Sequence, residues 1–249
     1  LSFTGSAKVG WQLKRLAAAK ILLELGGNAA AIVAEDADLD RAARALTVSA
    51  FAYAGQVCIK AQRLIIDERV WDAFVPRFLE QTRKLGHGDP RREDVLVGPV
   101  IDDRAAERIA EWIAEAKAAG AQLLLEGKRE GRLLQPSVLA HVPRSTRLYR
   151  EELFGPVAVL SKSPDFEAAL IEANAGEWGL QAALFTRDLR RVRRAFHTLE
   201  VGGLIVDDAP SFRSDPMPYG GCKGSGLGRE GLRWAMEEFT EPRALVLRP

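Results

Sequence analysis

The sequence predicts an α/β fold built on a mainly parallel sheet, and three observations lead there. Short apolar runs alternate with segments of helical periodicity along most of the chain. The 249 residues suffice for one large domain or two small ones with a sizeable core. Hydrophobic and charged fractions of 47% and 28% are those of an ordinary globular protein, and neither an internal repeat nor a low-complexity linker interrupts the pattern.

Taken in order, the opening LSFTGS reads as the end of a strand running into a glycine turn. Because the chain does not begin with Met, the numbering is expected to start inside a larger protein. Residues 21–25 are a strand, Gly26 and Gly27 a turn, and 30–33 the next strand. Asp38 is the expected N-cap of a helix over 39–52, with Asp40 in its first turn. That Ala-rich helix stops just before Gly55-Gln56-Val57-Cys58. RLIID at 63–67 is a strand. A helix over 69–84 follows, with Val70, Phe74, Val75 and Phe78 on one face and Pro76 bending it or delaying its start. The clearest helix spans 103–119, with Ile109, Trp112, Ile113 and Ala116 apolar and Gly120 at C′. Then come strands at 122–125 and 157–161, a helix at 166–174, a strand at 182–185, a helix at 188–199 and a strand at 203–206. Leu189, Val192 and Phe196 are at helical spacing, which makes the arginines from Arg187 to Arg194 the wet face of that helix. A glycine-rich stretch at 219–231 leads to a final helix and a strand at 243–247.

Composition excludes several functions. Lys+Arg 35 against Asp+Glu 34 leaves a net charge of +1, so no bulk field attracts nucleic acid or an acidic membrane surface. The 2 cysteines, Cys58 and Cys222, lie far apart in no C-x-x-C pattern, which argues against a disulfide framework or a zinc site and makes a reducing cytoplasm the expected compartment. No apolar stretch has the length of a membrane span, and no signal peptide is visible.

Gly226, Gly228 and Gly231 match G-x-G-x-x-G, but that motif must follow a buried strand and open a helix to approach a pyrophosphate. The preceding MPYGGCKGS is no strand, so the match is read as a loop. Cys58 follows Gly-Gln at a helix-to-loop junction, where backbone amides can face an oxyanion and favour thiolate. One GQVC says little, and taken singly the inert reading is the commoner. Cys222 sits in a glycine turn with no acid or base at a set distance. Glu24, in LLLELGGN, is either a turn residue or a buried acid of raised pKa suited to general-base work. Taken singly, the turn reading is the commoner. His87, His141 and His197 have no metal-ligand spacing, no metal site is expected, and no Ser-His-Asp pattern stands out.

Together the segments resemble the aldehyde dehydrogenase superfamily. FTGSAKVG (3–10), LELGGN (23–28), GQVC (55–58), EELFGP (151–156) and PYGGCKGSGLGREG (218–231) fall in that family's order and approximate spacing. Five motifs in sequence are far more specific than any one. The resemblance implies an aldehyde dehydrogenase-like catalytic domain (26–223), the end of a Rossmann-type cofactor domain (1–25), and a return helix with an oligomerisation strand (224–249). It makes Cys58 the nucleophile, which forms a thiohemiacetal that loses hydride to NAD or NADP and becomes a thioester. It makes Glu24 the base that activates water to hydrolyse that thioester. Gly5 and Ser6 match the turn and hydroxyl that meet the pyrophosphate at a helix N-terminus. Val9 matches an adenine-pocket position, Leu25 a backbone contact to nicotinamide, and Glu152 and Phe154 the pair holding the nicotinamide ribose and ring. The implied assembly is a homodimer or homotetramer.

The departures are equally specific. The family chain is much longer, and its Pro-Trp-Asn segment, whose Asn completes the oxyanion hole, is absent here, as is the Lys-Pro segment for the adenosine ribose. Asn28 replaces the usual Lys after LELGG, Trp178 the usual Tyr before GL, and Asp207 stands where Asn is common. Glu24 argues against the acylating, coenzyme A-dependent branch. GGLIVDDAPSFRSDPMPYGG resembles members acting on small hydroxy-, phospho- or phosphono-aldehydes, with Arg213 the candidate to face an anionic substrate. Val57 stands where phosphate-handling relatives often place Arg, which favours a small neutral or hydroxylated, lactaldehyde-like aldehyde. Two other classes stay open: an inactive truncated fragment of such an enzyme, and a thiol esterase.

Overall fold

The computed structural model describes residues 1–248. At its centre is a seven-stranded sheet in the order Gly203–Val206, Gln181–Phe185, Ala29–Val33, Ala61–Asp67, Val157–Ser163, Ser137–Ala140, Gln122–Leu125. All neighbours are parallel except the edge strand Gln122–Leu125, which runs antiparallel to Ser137–Ala140. Ala29–Val33 and Ala61–Asp67 are buried at every position. Strands covered by helices on both faces have no polar side to show, hence the apolar AAAIV of the one and the LII of the other, and the buried Gln62, Arg63 and Asp67 are each hydrogen-bonded.

Leu39–Phe51, Glu68–Arg83 and Asp103–Ala118 contribute Leu46, Phe74, Phe78, Ile109 and Trp112 to the larger core, which also takes Leu64 and Ile66. Ile65, between them, joins Ile32, Leu170 and Leu184 in the second core, as the period of two along a strand requires. Asp38, Asp102 and Asp165 cap their helices by accepting from the N–H groups of Arg41, Ala105 and Ala168. Each such cap stabilises by about 1 kcal/mol. Pro76 neither delays nor stops its helix, which runs Glu68–Arg83 with the proline inside.

Several elements go beyond the sequence reading, among them Ala7–Leu16, Ser137–Ala140 and Arg147–Arg150. Gly10 is the one buried residue of the first, so its apolar stripe is faint. A second, small sheet joins Ser2–Thr4, Leu22–Glu24 and Gly226–Leu227. The glycine match at 226–231 is therefore not wholly a loop. Its first two residues form an antiparallel edge on Leu23 and Glu24, which still gives no strand-to-helix turn for a pyrophosphate.

Two features of the single chain differ from the sequence reading. Residues 241–248 form no strand and lie exposed, with Leu245, Val246 and Leu247 at 83%, 77% and 82%. A strand needs a second edge for its N–H and C=O groups, and no described residue offers this tail one. Pro249 lies outside the described residues. In the helix Leu189–Thr198 the inward stripe is Val192, Ala195 and Leu199, whereas Leu189 and Phe196 face solvent. Arg191 leaves the wet face to pair with Glu35 and Asp36 at the end of a core strand.

Candidate active site

Glycines make this site possible. Glu24 ends a strand of the small sheet, and Gly26 and Gly27 follow it. A methyl group on Gly26 would lie 2.0 Å from a Glu152 carboxylate oxygen. On Gly27 it would lie 2.6 Å from the Cys58 carbonyl. The Gly27 N–H donates to Glu152 Oε1 at 3.1 Å. The LELGG turn is thus a cradle in which Glu152 and the Cys58 loop close on one backbone.

Cys58 reaches that cradle by a sharp reversal after the helix Leu39–Phe51. Tyr53, Ala54 and Gly55 are successively left-handed, with φ of 54°, 56° and 67°. A Cβ on Gly55 would lie 2.2 Å from the Gly155 carbonyl, so this position admits glycine alone. The EELFGP loop is pinned by buried amides. Asn28 Nδ2 donates to the carbonyls of Tyr149 and Glu151, Gln62 Nε2 to those of Leu148 and Glu151, and Gln62 Oε1 accepts from Leu153 N. Arg63 in turn donates to Asn28 Oδ1 at 3.2 Å. The asparagine that departs from the usual lysine therefore holds the loop that carries Glu152.

Around Cys58 the electrostatics are not those of a preformed thiolate. Burial pushes the Cys58 thiol up, and Glu152 and Glu24 add to this, against hydrogen bonds from Tyr219 and the backbone that pull it down. Of the two readings the sequence left open, a thiolate favoured by amides and an inert thiol, the balance here lies with the thiol, because burial, with Glu152 and Glu24 adding, outweighs the local donors. Glu24 behaves as expected of a buried acid. Desolvation raises it from 4.5 to about 8, with Glu230 adding and Arg213 and Arg229 opposing. Neither of its oxygens has a hydrogen-bond partner. Its Oε1 lies 2.9 Å from where a Gly220 Cβ would be. The preceding residue is Tyr219, whose hydroxyl sits 3.1 Å from Cys58 Sγ. Cys58 and Glu24 thus both lie against the Tyr219–Gly220 segment, and Glu24 is near enough to raise the thiol by its charge.

Glu152 is raised to about 7 by burial, opposed by the Gly27 N–H, Lys60 and Arg108. Lys60 is fully buried, donates from Nζ to the Val157 carbonyl at 2.7 Å, and is lowered to about 7 by desolvation. Arg213 pairs with Glu230 at 2.8 Å and lies 4.3 Å over the Tyr219 ring. Cys222 does have a basic neighbour after all, since Arg229 Nη2 donates to its sulfur at 3.4 Å. Both thiols are free.

The remaining sequence candidates differ in exposure and in backbone bonding. Gly5 N–H donates to the Glu24 carbonyl at 3.0 Å. Ser6 is the N-cap of Ala7–Leu16, and its hydroxyl makes no capping bond, which leaves it and the helix N-terminus free to meet an anion. Val9 and Phe154 are exposed, and Phe154 holds a φ of 53°. The Leu25 N–H is committed to the Ser225 carbonyl, so any backbone contact from Leu25 to a ligand falls to its own carbonyl. Tyr219, Lys60, Glu230 and Arg229 were not singled out from the sequence. Tyr219, Arg229 and Glu230 stand inside a quoted motif, but no spacing rule says which of its side chains meets the cysteine.

A model of the aldehyde dehydrogenase family matches residues 1–245. The chain is 43% identical over 247 residues to 3-sulfolactaldehyde dehydrogenase of Priestia aryabhattai, a match covering 99% of this chain and 52% of that protein. It is 40% identical over 248 residues to lactaldehyde dehydrogenase of Methanococcus vannielii, covering 99% and 53%. The structure superposes on glyceraldehyde-3-phosphate dehydrogenase of Methanocaldococcus jannaschii in complex with NADP with a TM-score of 0.92 and 42% identity, covering 95% of this chain and 52% of the other. The chain spans about half the length of the curated relatives it matches.

Proposed function

Because this chain belongs to the aldehyde dehydrogenase family, we propose that its site oxidises a small aldehyde to the carboxylic acid with NAD or NADP. The observation that carries the reading is Glu24, a buried carboxylate with both oxygens unpartnered, packed against Gly220 and near enough to Cys58 for its charge to raise the thiol. A carboxylate left so is costly to the fold, and a water molecule to be activated accounts for it.

Cys58 sulfur attacks the aldehyde carbon and forms the C–S bond of a thiohemiacetal. The nicotinamide, when bound, supplies the acceptor for the hydride leaving that carbon. Ser6, Val9, Leu25, Glu152 and Phe154 are the groups of this chain that would hold the cofactor, with Gly5 shaping the turn. Glu24 then takes a proton from water, the water oxygen attacks the thioester carbon, and the C–S bond breaks to return Cys58 and release the acid. With a pKa of about 8, Glu24 is roughly one-tenth ionised at pH 7, enough for a base that must also give its proton back.

The substrate is a small hydroxylated, lactaldehyde-like aldehyde. Arg213 is already balanced by Glu230, so the site holds no free cation waiting for an anionic group at that position. On the same reading, residues 1–25 belong to the cofactor domain, 26–223 to the catalytic domain and 224–249 to the return and oligomerisation segment. The compartment is the cytoplasm, and the assembly is a homodimer or homotetramer. Exposed Leu245, Val246 and Leu247 on the tail, and Ile171, Leu189 and Phe196 on two neighbouring helices, support the assembly reading. Among the described residues no helix is long and apolar enough to cross a membrane.

The test is thiol substitution in the full-length protein, assayed with lactaldehyde and either cofactor. Cys58→Ala abolishes turnover, whereas Cys222→Ala keeps most of it. Retained dehydrogenase activity in Cys58→Ala sinks the mechanism, and ester hydrolysis without nicotinamide as the sole wild-type activity replaces it with a thiol esterase.

A further inference from the structure

We infer that Tyr219 is a positioning residue for the nucleophile: its hydroxyl fixes the Cys58 sulfur and favours its ionised form. This rests on the reading of Cys58 as the reactive thiol. The Tyr219 side chain is buried, and its oxygen lies 3.1 Å from Cys58 Sγ. While the sulfur is a thiol, either group can donate in that contact. Once the sulfur is a thiolate only the phenol can, so the same contact becomes a charge-assisted bond and draws the thiol toward ionisation.

Two features keep the phenol in that role. Tyr219 is locked in place by paired backbone bonds with Glu230, N to O at 2.9 Å and O to N at 2.7 Å. Arg213 lies 4.3 Å over its ring and is itself held by Glu230. A cation over the ring withdraws electron density and strengthens the O–H as a donor. Burial, with Cys58 and Glu24 beside it, pushes the phenol well above its ordinary range, so it stays protonated wherever the thiol titrates. The groups facing Cys58 are thus Tyr219, Glu152 and Glu24, and only Tyr219 among these side chains favours the thiolate. In a site where burial and two carboxylates oppose ionisation, that hydroxyl, with one backbone hydrogen bond beside it, sets how much nucleophile is available.

The experiment is the pH dependence of iodoacetamide labelling at Cys58 in the full-length protein without cofactor, read by peptide mass spectrometry so that Cys222 is counted separately. Tyr219→Phe removes the hydroxyl and keeps the ring. It shifts the Cys58 labelling midpoint upward by about 1 to 2 pH units, the worth of one bond to a charged acceptor. Labelling of Cys222 keeps its wild-type profile. A Cys58 midpoint unchanged in a folded Tyr219→Phe protein overturns the proposal. Arg213→Gln provides the second arm, with a smaller upward shift expected, and it decides the matter if Tyr219→Phe does not fold: no shift there overturns the proposal too. Labelling needs no aldehyde turnover, so this result stands apart from the dehydrogenase assay of Cys58→Ala.

Discussion

Around Cys58 and Glu152 the backbone is packed to contact, whereas Ser6, Val9 and Phe154 lie open to solvent. On the packed side a methyl group on Gly27 or Gly55 would run into backbone, and one on Gly26 would displace the Glu152 carboxylate. On the open side Val9 and Phe154 are 42% and 37% exposed, and Ser6 caps its helix without a side-chain bond. The difference teaches what each side must do. Covalent chemistry needs a sulfur, a carboxylate and a water held to a fraction of an ångström, and dense packing supplies that. A ligand that arrives and departs needs surface left free for it.

The largest expected effect falls on the packed side. Gly55→Ala puts a Cβ against the Gly155 carbonyl in a left-handed conformation, where neither backbone can yield. It should destabilise the fold by about 3 kcal/mol, measured by urea unfolding. A loss below about 1 kcal/mol would mean that the two loops are freer than their packing indicates.

Of intermediate size and opposite sign is Glu24→Gln. Because burial raises Glu24 from 4.5 to about 8, the folded protein holds that proton more tightly than the unfolded chain. The resulting stabilisation is complete below about pH 4.5 and is lost as the pH rises through about 8. The variant has no such dependence, so at pH 8 it should exceed the wild type by about 1–3 kcal/mol, the cost of an unpartnered buried charge. Melting curves of both proteins from pH 5 to 8.5 decide it, and parallel profiles would remove the buried base from the account.

The smallest effect lies on the open side. Val9→Ala should change stability by no more than about 0.5 kcal/mol while raising KM for the cofactor in the full-length enzyme. A large melting shift without any KM change would make Val9 a packing residue.

Legibility in the sequence follows the same division. Glu24, Cys58 and Glu152 were readable because glycines flank the first two and all three stand in ordered motifs. The apolar residues of 30–33 and of 63–67 gave two of the buried parallel strands. Ser137–Ala140 went unread because four residues between Pro136 and Pro143 carry no period. The roles of Asn28, Gln62 and Lys60 were hidden for another reason. Each depends on which distant carbonyl lies beside it, and sheet order fixes that, not local pattern. The tail shows the converse: its apolar residues spelled a strand, but a strand also needs an edge to pair with.

The most direct test of the central claim separates the two chemical steps in one trace. In Glu24→Gln, mixed with aldehyde and cofactor in a stopped-flow instrument, Cys58 should still react and the first turnover should proceed. The account predicts a burst of reduced cofactor of about one per site, then slow release, because the carboxylate is needed only to activate the second-step water. Loss of the burst together with the steady rate would contradict it, and would place Glu24 at the activation of Cys58 instead.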